Sequence, residues 1–198
     1  MNVLLALSRA IDAFTERVGR LVYWLVLVVV LISAANATVR KAFDYSSNAY
    51  LEVQWYLFAA AFLLAAGYTL LNGEHVKIDV VYGRLSRKTR NAIDIFGFTV
   101  FLLPMCLVIL WFAVPFFLQG LRSGEMSSNA GGLIRWPVYL MMPLGFALLT
   151  LQGVSELIKR VAFAMGLIPA PLEKHGEKSA EEELAEEIRR LAEQQGKA

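Results

Sequence analysis

A single cysteine, Cys106, and only two histidines, His75 and His175, occur in the 198 residues of the chain. One thiol forms no intrachain disulfide, and so few Cys and His residues leave no cluster at metal-ligand spacing. Charge is equally scarce: Asp, Glu, Lys and Arg make up 18% of the chain, against roughly 25% in soluble proteins, while 57% of residues are hydrophobic. The net charge of +2 divides into −3 over residues 173–198 and +5 over the rest, which is too little for a nucleic-acid footprint. No glycine-rich phosphate loop, dinucleotide fingerprint, nucleophile elbow or paired-histidine zinc helix is present, so no enzymatic constellation is expected. Neither histidine falls in an apolar run, which excludes a membrane haem subunit with axial histidines inside its bundle.

Four stretches lack Asp, Glu, Lys and Arg altogether: Leu21–Val39, Val53–Gly73, Ile95–Leu121 and Trp136–Ser155. Nineteen residues of helix cover roughly 29 Å, about the hydrocarbon thickness of a bilayer, so each run is long enough to cross it. The expected fold class is an all-α membrane protein with four transmembrane helices, spanning about 21–39, 53–73, 93–119 and 136–157 in a body of residues 21–160. Pro104 and Pro115 predict a bent or tilted third span, because each removes a backbone donor and crowds the preceding turn. Lys and Arg number 3, 2, 5, 2 and 7 in the successive segments outside the runs, which places both termini and the middle loop in the cytoplasm. Tyr23 and Trp24 then mark an inner edge, and Trp55, Tyr56, Trp136 and Tyr139 an outer one. Ala35-Asn36-Ala37 has the small-x-small form of a cleavage site, but Asp12 and Glu16 upstream suit an uncleaved span in the inner membrane.

Residues 1–20 carry Leu4, Leu7, Ile11, Phe14 and Val18 at three- and four-residue spacing, the pattern of an amphipathic interfacial helix. Ile78, Val81 and Leu85 repeat it in the middle loop among basic residues suited to anionic lipid head groups. Residues 161–198 are expected to form a linker and a charged cytoplasmic tail helix. Few groups inside this frame carry chemistry. Glu52, Asp94 and Glu156 sit at span ends, which argues against an autonomous proton-coupled carrier. Gln54 and Gln152 are read as interhelical hydrogen-bonding groups, and Ala61, Ala65 and Thr69 as a small-residue stripe that permits close helix approach. His75 and Asp79, four apart, share a helix face at a membrane edge.

Several segments together resemble one family. Glu52–Phe58 (EVQWYLF), Gly67–Leu71 (GYTLL), His75–Asp79 (HVKID) and Val80–Ser86 (VVYGRLS) are followed by Glu125–Leu133 (EMSSNAGGL), Trp136-Pro137 and Pro143–Gly153 (PLGFALLTLQG). Over roughly Tyr50–Arg160 the chain is similar to the small integral-membrane, DctQ-type subunit of tripartite ATP-independent periplasmic (TRAP) transporters. The resemblance implies a large multi-span partner that carries the substrate and sodium sites, a periplasmic solute-binding protein that delivers a carboxylate, and a bracing role for the small subunit. No cofactor is implied in this chain. By position, Glu52, Gln54 and Trp55 match the family pattern at the outer start of span two, His75 and Asp79 the middle loop, and Glu125 and Trp136 the third loop. With Ala61, Ala65 and Gln152 these form the set of candidate partner-interface residues, and membrane lipids are the remaining expected partner. Lys77 stands where the family more often has Arg. A membrane anchor or assembly factor that recruits a cytosolic protein through the acidic tail is the alternative, and an autonomous carrier using Gln54, Asn72 and Gln152 a weaker one.

Overall fold

The computed structural model describes residues 2–45, 47–73 and 85–168. Among these it is helical, with α1 over Asn2–Phe43, α2 over Asn48–Asn72, α3 over Arg87–Gly97, a π-helical turn over Phe98–Leu102, α4 over Leu103–Ser123 and α5 over Trp136–Ala164. Four helical stretches are long and apolar enough to cross a membrane, in the order expected, with α3, the π turn and α4 joined as the third. The middle-loop helix around Ile78 and Val81, and the tail from residue 169 on, lie outside the described residues.

Local chemistry accounts for the boundaries. Gly73 closes α2 with φ 72°, its N–H reaching back to Leu70 O at 3.2 Å, and Gly124 ends α4 with φ 61°. These left-handed positions cost a glycine little. Ser86 caps α3 by accepting the Thr89 N–H through its side chain. The bend expected near Pro104 takes the form of the π turn. Proline has no N–H to bond the carbonyl four residues back and its ring crowds that carbonyl; the widened turn relieves both, and the Leu103 N–H bonds Phe98 O, five residues back.

The interior is thin. Leu70, Cys106 and Leu149 form its buried apolar centre, with Ala66, Phe98, Leu102 and Phe146 packed around them. Trp111, Phe62, Phe58 and Trp24 are more than 60% exposed, as a lipid-facing surface requires. Helix α5 organises the bundle by packing against α1, α2, α3, the π turn and α4. Small residues set how closely the helices approach. Tyr68 of α2 lies over Gly19 of α1, and Tyr139 of α5 over Gly120 of α4. A Cβ at Gly145 of α5 would stand 2.8 Å from the Leu63 carbonyl oxygen of α2.

Helix α1 shows a difference from the sequence expectation. It runs unbroken for 42 residues, roughly 63 Å at 1.5 Å per residue, with no joint between residues 1–20 and the apolar run that follows. Its amphipathic pattern is also partly reversed, although Arg9, Glu16, Arg17 and Arg20 stay exposed. Ser8, Thr15 and Val22 are buried toward the bundle, whereas Leu4, Leu7, Phe14 and Leu21 face outward. The cause is that Ser8 and Asp12 on this face have hydrogen-bonding partners on α5, described below.

Replacing Gly145 by alanine sets a methyl group against backbone on α2 that cannot rotate away. The expected cost is about 1–3 kcal/mol, read as a lower unfolding temperature of the purified chain in detergent.

Candidate functional site

The loop between α4 and α5 folds back over the N-terminal end of α2. Ser127 N–H bonds Leu133 O and Arg135 N–H bonds Glu125 O, both at 2.9 Å, making a short antiparallel hairpin around the Met126–Ile134 bridge. The Glu52 side chain rises from the first turns of α2 into this hairpin and is 3% exposed. Its Oε2 accepts the Leu133 N–H at 2.7 Å; its Oε1 accepts Asn129 Nδ2 at 2.9 Å and the Ser127 hydroxyl. Ionised carboxylates make stronger acceptors than neutral groups, so three donors converge on the one group able to hold all of them. Asn48, one turn earlier on α2, adds a bond from Nδ2 to Ala130 O at 2.9 Å. Gly132 is required where it stands: a Cβ there would meet Ser127 Cβ at 2.5 Å and Glu52 Oε1 at 2.9 Å. Glu125, exposed on the hairpin's outer side, pairs with Arg135 at 2.8 Å and accepts the Tyr139 hydroxyl at 3.1 Å. Together Tyr139 and Glu125 raise the pKa of Arg135 above the ordinary arginine value. The result is a clasp that fastens the start of α2 to the hairpin leading into α5.

One step deeper, Ser33 Oγ of α1 donates to Gln54 Oε1 of α2 at 2.8 Å. Trp55 and Phe58 point outward from the same stretch of α2, each more than 60% exposed.

A second polar cluster lies at the other end, where α1 meets α5. Gln152 Nε2 donates to Asp12 Oδ1 at 2.9 Å and to Glu156 Oε1 at 3.3 Å. Ser155 Oγ stands 2.7 Å from Asp12 Oδ1 and 2.7 Å from Ser8 Oγ. Lys159 bridges the two acids, 3.0 Å from Asp12 Oδ2 and in contact with Glu156 Oε1. Next to it on α5, Arg160 pairs with Asp94 of α3 and lies 5.3 Å from the centre of the Phe98 ring, while its carbonyl accepts Asn91 Nδ2 at 3.0 Å. Among the described residues no three His, Cys, Asp or Glu side chains gather as a metal site.

Of the candidate residues, Glu52 and Glu125 belong to the clasp, Trp136 follows it as the first residue of α5, and Gln54 and Trp55 lie just below on α2. Ala61 is buried within the bundle and Ala65 half-buried. Gln152 stands apart, just past the middle of α5, and His75 and Asp79 lie outside the described residues. Sequence reasoning missed Ser127, Asn129 and the Leu133 N–H as the partners of Glu52, and Ser8, Asp12, Ser155 and Lys159 as those of Gln152. A usable signal existed for the second group: Ser8, Asp12 and Thr15 on α1, and Gln152, Ser155, Glu156 and Lys159 on α5, are polar stripes at helical spacing.

A family model described as "Tripartite ATP-independent periplasmic transporters, DctQ component" matches residues 29–163. This stretch contains the clasp, α2 and nearly all of α5, and begins after Asp12. No curated protein and no solved structure gives a significant match to the chain.

Exchanging Glu52 for glutamine keeps its shape but turns an amide donor toward groups that themselves donate. The expected outcome is a hairpin that opens while the helices stay folded. Amide hydrogen exchange at Leu133 then rises on the order of tenfold or more, with exchange in the middle of α5 unchanged.

Proposed function

The chain belongs to the DctQ family, the small membrane component of TRAP transporters, and from this premise we propose that it braces the large transport subunit and helps to dock the periplasmic solute-binding protein. In this reading the large subunit carries the substrate and sodium sites and performs sodium-coupled carboxylate uptake. The present chain supplies a fixed frame in the bacterial inner membrane, with both termini in the cytoplasm. The orientation rests on the alternation of Lys and Arg among the segments, which puts the hairpin of residues 125–135 on the periplasmic side.

The observation that carries the proposal is the clasp. A loop meant only to connect two helices has no need of a nearly buried carboxylate that fixes it through three bonds. A surface that must meet a soluble protein repeatedly does gain from being held in one shape before contact, because less ordering is then required on binding. Glu125 and Met126 are exposed on this hairpin, and Trp55 lies exposed at the adjoining end of α2. The bracing role has support in the position of α5, which ties the other helices together.

Affinity purification of the tagged chain from its native membrane in mild detergent tests the proposal. The expected result is a near-stoichiometric, much larger multi-span protein in the eluate. A chain that emerges alone, or only with soluble proteins, under conditions that preserve other membrane complexes would overturn it. Deletion of residues 173–198 is expected to leave solute uptake by the assembled transporter unchanged, whereas a tail-dependent anchor would lose its function.

A further inference from the structure

The chain leaves α5 beside a set of exposed cations. A Cβ at Gly153 of α5 would meet Leu102 Cδ2 at 2.6 Å, and Asn91 Nδ2 of α3 donates to Arg160 O at 3.0 Å. The two stretches therefore run antiparallel, and the first turn of α3 is level with the last turn of α5. That first turn holds Arg87 and Lys88, both exposed, and no acid. Neither has an ion-pair partner among the described residues, while Arg90 donates from Nε to Leu85 O at 3.0 Å. Asp94, the one acid of α3, is taken by Arg160. Counted over the full sequence, residues 74–94 carry five Lys and Arg against three Asp and Glu.

Helix α5 closes within a turn of this point, where the Leu167 N–H bonds Ala162 O at 3.0 Å around Gly166 at φ 70°. Beyond residue 168 the sequence turns acidic. Glu181, Glu182, Glu183, Glu186 and Glu187 fall within seven residues that include no cation, and residues 173–198 as a whole carry −3. Twelve residues separate position 168 from Glu181, an extended length of roughly 40 Å at most, so the acidic run is tethered near the cations of α3. A tether of that length gives an effective concentration on the order of millimolar, at which even a weak electrostatic contact is substantially formed. Anionic lipid head groups suit the same cations, but each brings about one charge and has to be gathered separately. The acidic run brings its charges together on one chain that already ends there.

We propose that residues 181–187 dock on the exposed Arg87 and Lys88 at the start of α3, so that the acidic tail caps this end of its own bundle. The tail lies outside the matched stretch of residues 29–163, and the contact stands whichever role the membrane body has. A tail engaged in this way is a cover for its own chain and not an arm held out to a cytosolic protein.

The test uses the full chain, one copy per lipid nanodisc, treated with a carbodiimide, which joins a lysine amine to a carboxylate only where the two touch. In phosphatidylcholine discs at low salt, peptide mass spectrometry is expected to recover Lys88 linked to a glutamate of residues 181–187 within monomeric chain. Raising sodium chloride from about 50 to about 500 mM should lower the yield on the order of fivefold, because the screening length shrinks to a few ångströms. Arg87→Gln should also lower it severalfold, whereas Arg122→Gln, at the end of α4 and far from α3, should leave it unchanged. Both variants alter exposed side chains, and their unfolding temperatures should equal that of the parent chain. The link should persist in discs containing about 30% phosphatidylglycerol. No Lys88 link to the tail, a link that salt and Arg87→Gln leave untouched, or a link only between two chains would overturn the proposal. Loss of the link in phosphatidylglycerol would overturn it as well and assign the cations to lipid head groups.

Discussion

A helix surrounded by lipid gains little by burying leucine, because the acyl chains it leaves are as apolar as the protein it enters. Cohesion has to come from close backbone approach and from polar groups that can be satisfied only by one another. The bundle follows that constraint throughout. Its apolar centre amounts to Leu70, Cys106, Leu149 and a few neighbours, while many of its largest aromatic side chains point outward. What holds the helices is a series of glycines beneath tyrosines or against backbone, together with hydrogen-bonded carboxylates near the two ends.

The last helix bears most of this load, and its sequence shows why. Gly145 and Gly153 let α2 and the π turn approach, and Gln152, Ser155, Glu156, Lys159 and Arg160 supply the polar partners of α1 and α3. At its other end, the hairpin leading into α5 holds Glu52 of α2. A helix fastened near both ends to different neighbours resists tilting, because tilt must break bonds at one end or the other. A brace for a moving partner needs that property, and it does not depend on a large core.

The four spans were legible because charge is excluded from hydrocarbon so strictly that its absence over about twenty residues is a signal in itself. The bend at Pro104 was legible for a similar reason, since a missing backbone donor acts locally, although its form as a π turn was not. Glu52 could be singled out as an acidic residue at a span end. Its partners could not, because Ser127, Asn129 and Leu133 lie 75 or more residues away in a loop without periodicity. Asp12 is the more instructive miss. On a helical wheel it falls on the polar side of an amphipathic segment, and the usual inference sends that side to water. Gln152 and Ser155, 140 and 143 residues further on, draw it into the bundle instead.

That inversion bears on how polar residues near a membrane edge are read. In water, a stripe of Ser, Asp and Thr on a helix is satisfied by solvent and carries no information about packing. Near the end of a membrane-spanning helix the same stripe has two outlets, and a facing stripe on another helix, already held in place, costs less ordering than a shell of head-group water. Once α1 is drawn to α5, Leu4, Leu7 and Leu21 are left on its outward face. The Asp12 cluster therefore sets the rotation of a 42-residue helix about its own axis, and with it which of its side chains any neighbouring chain can meet.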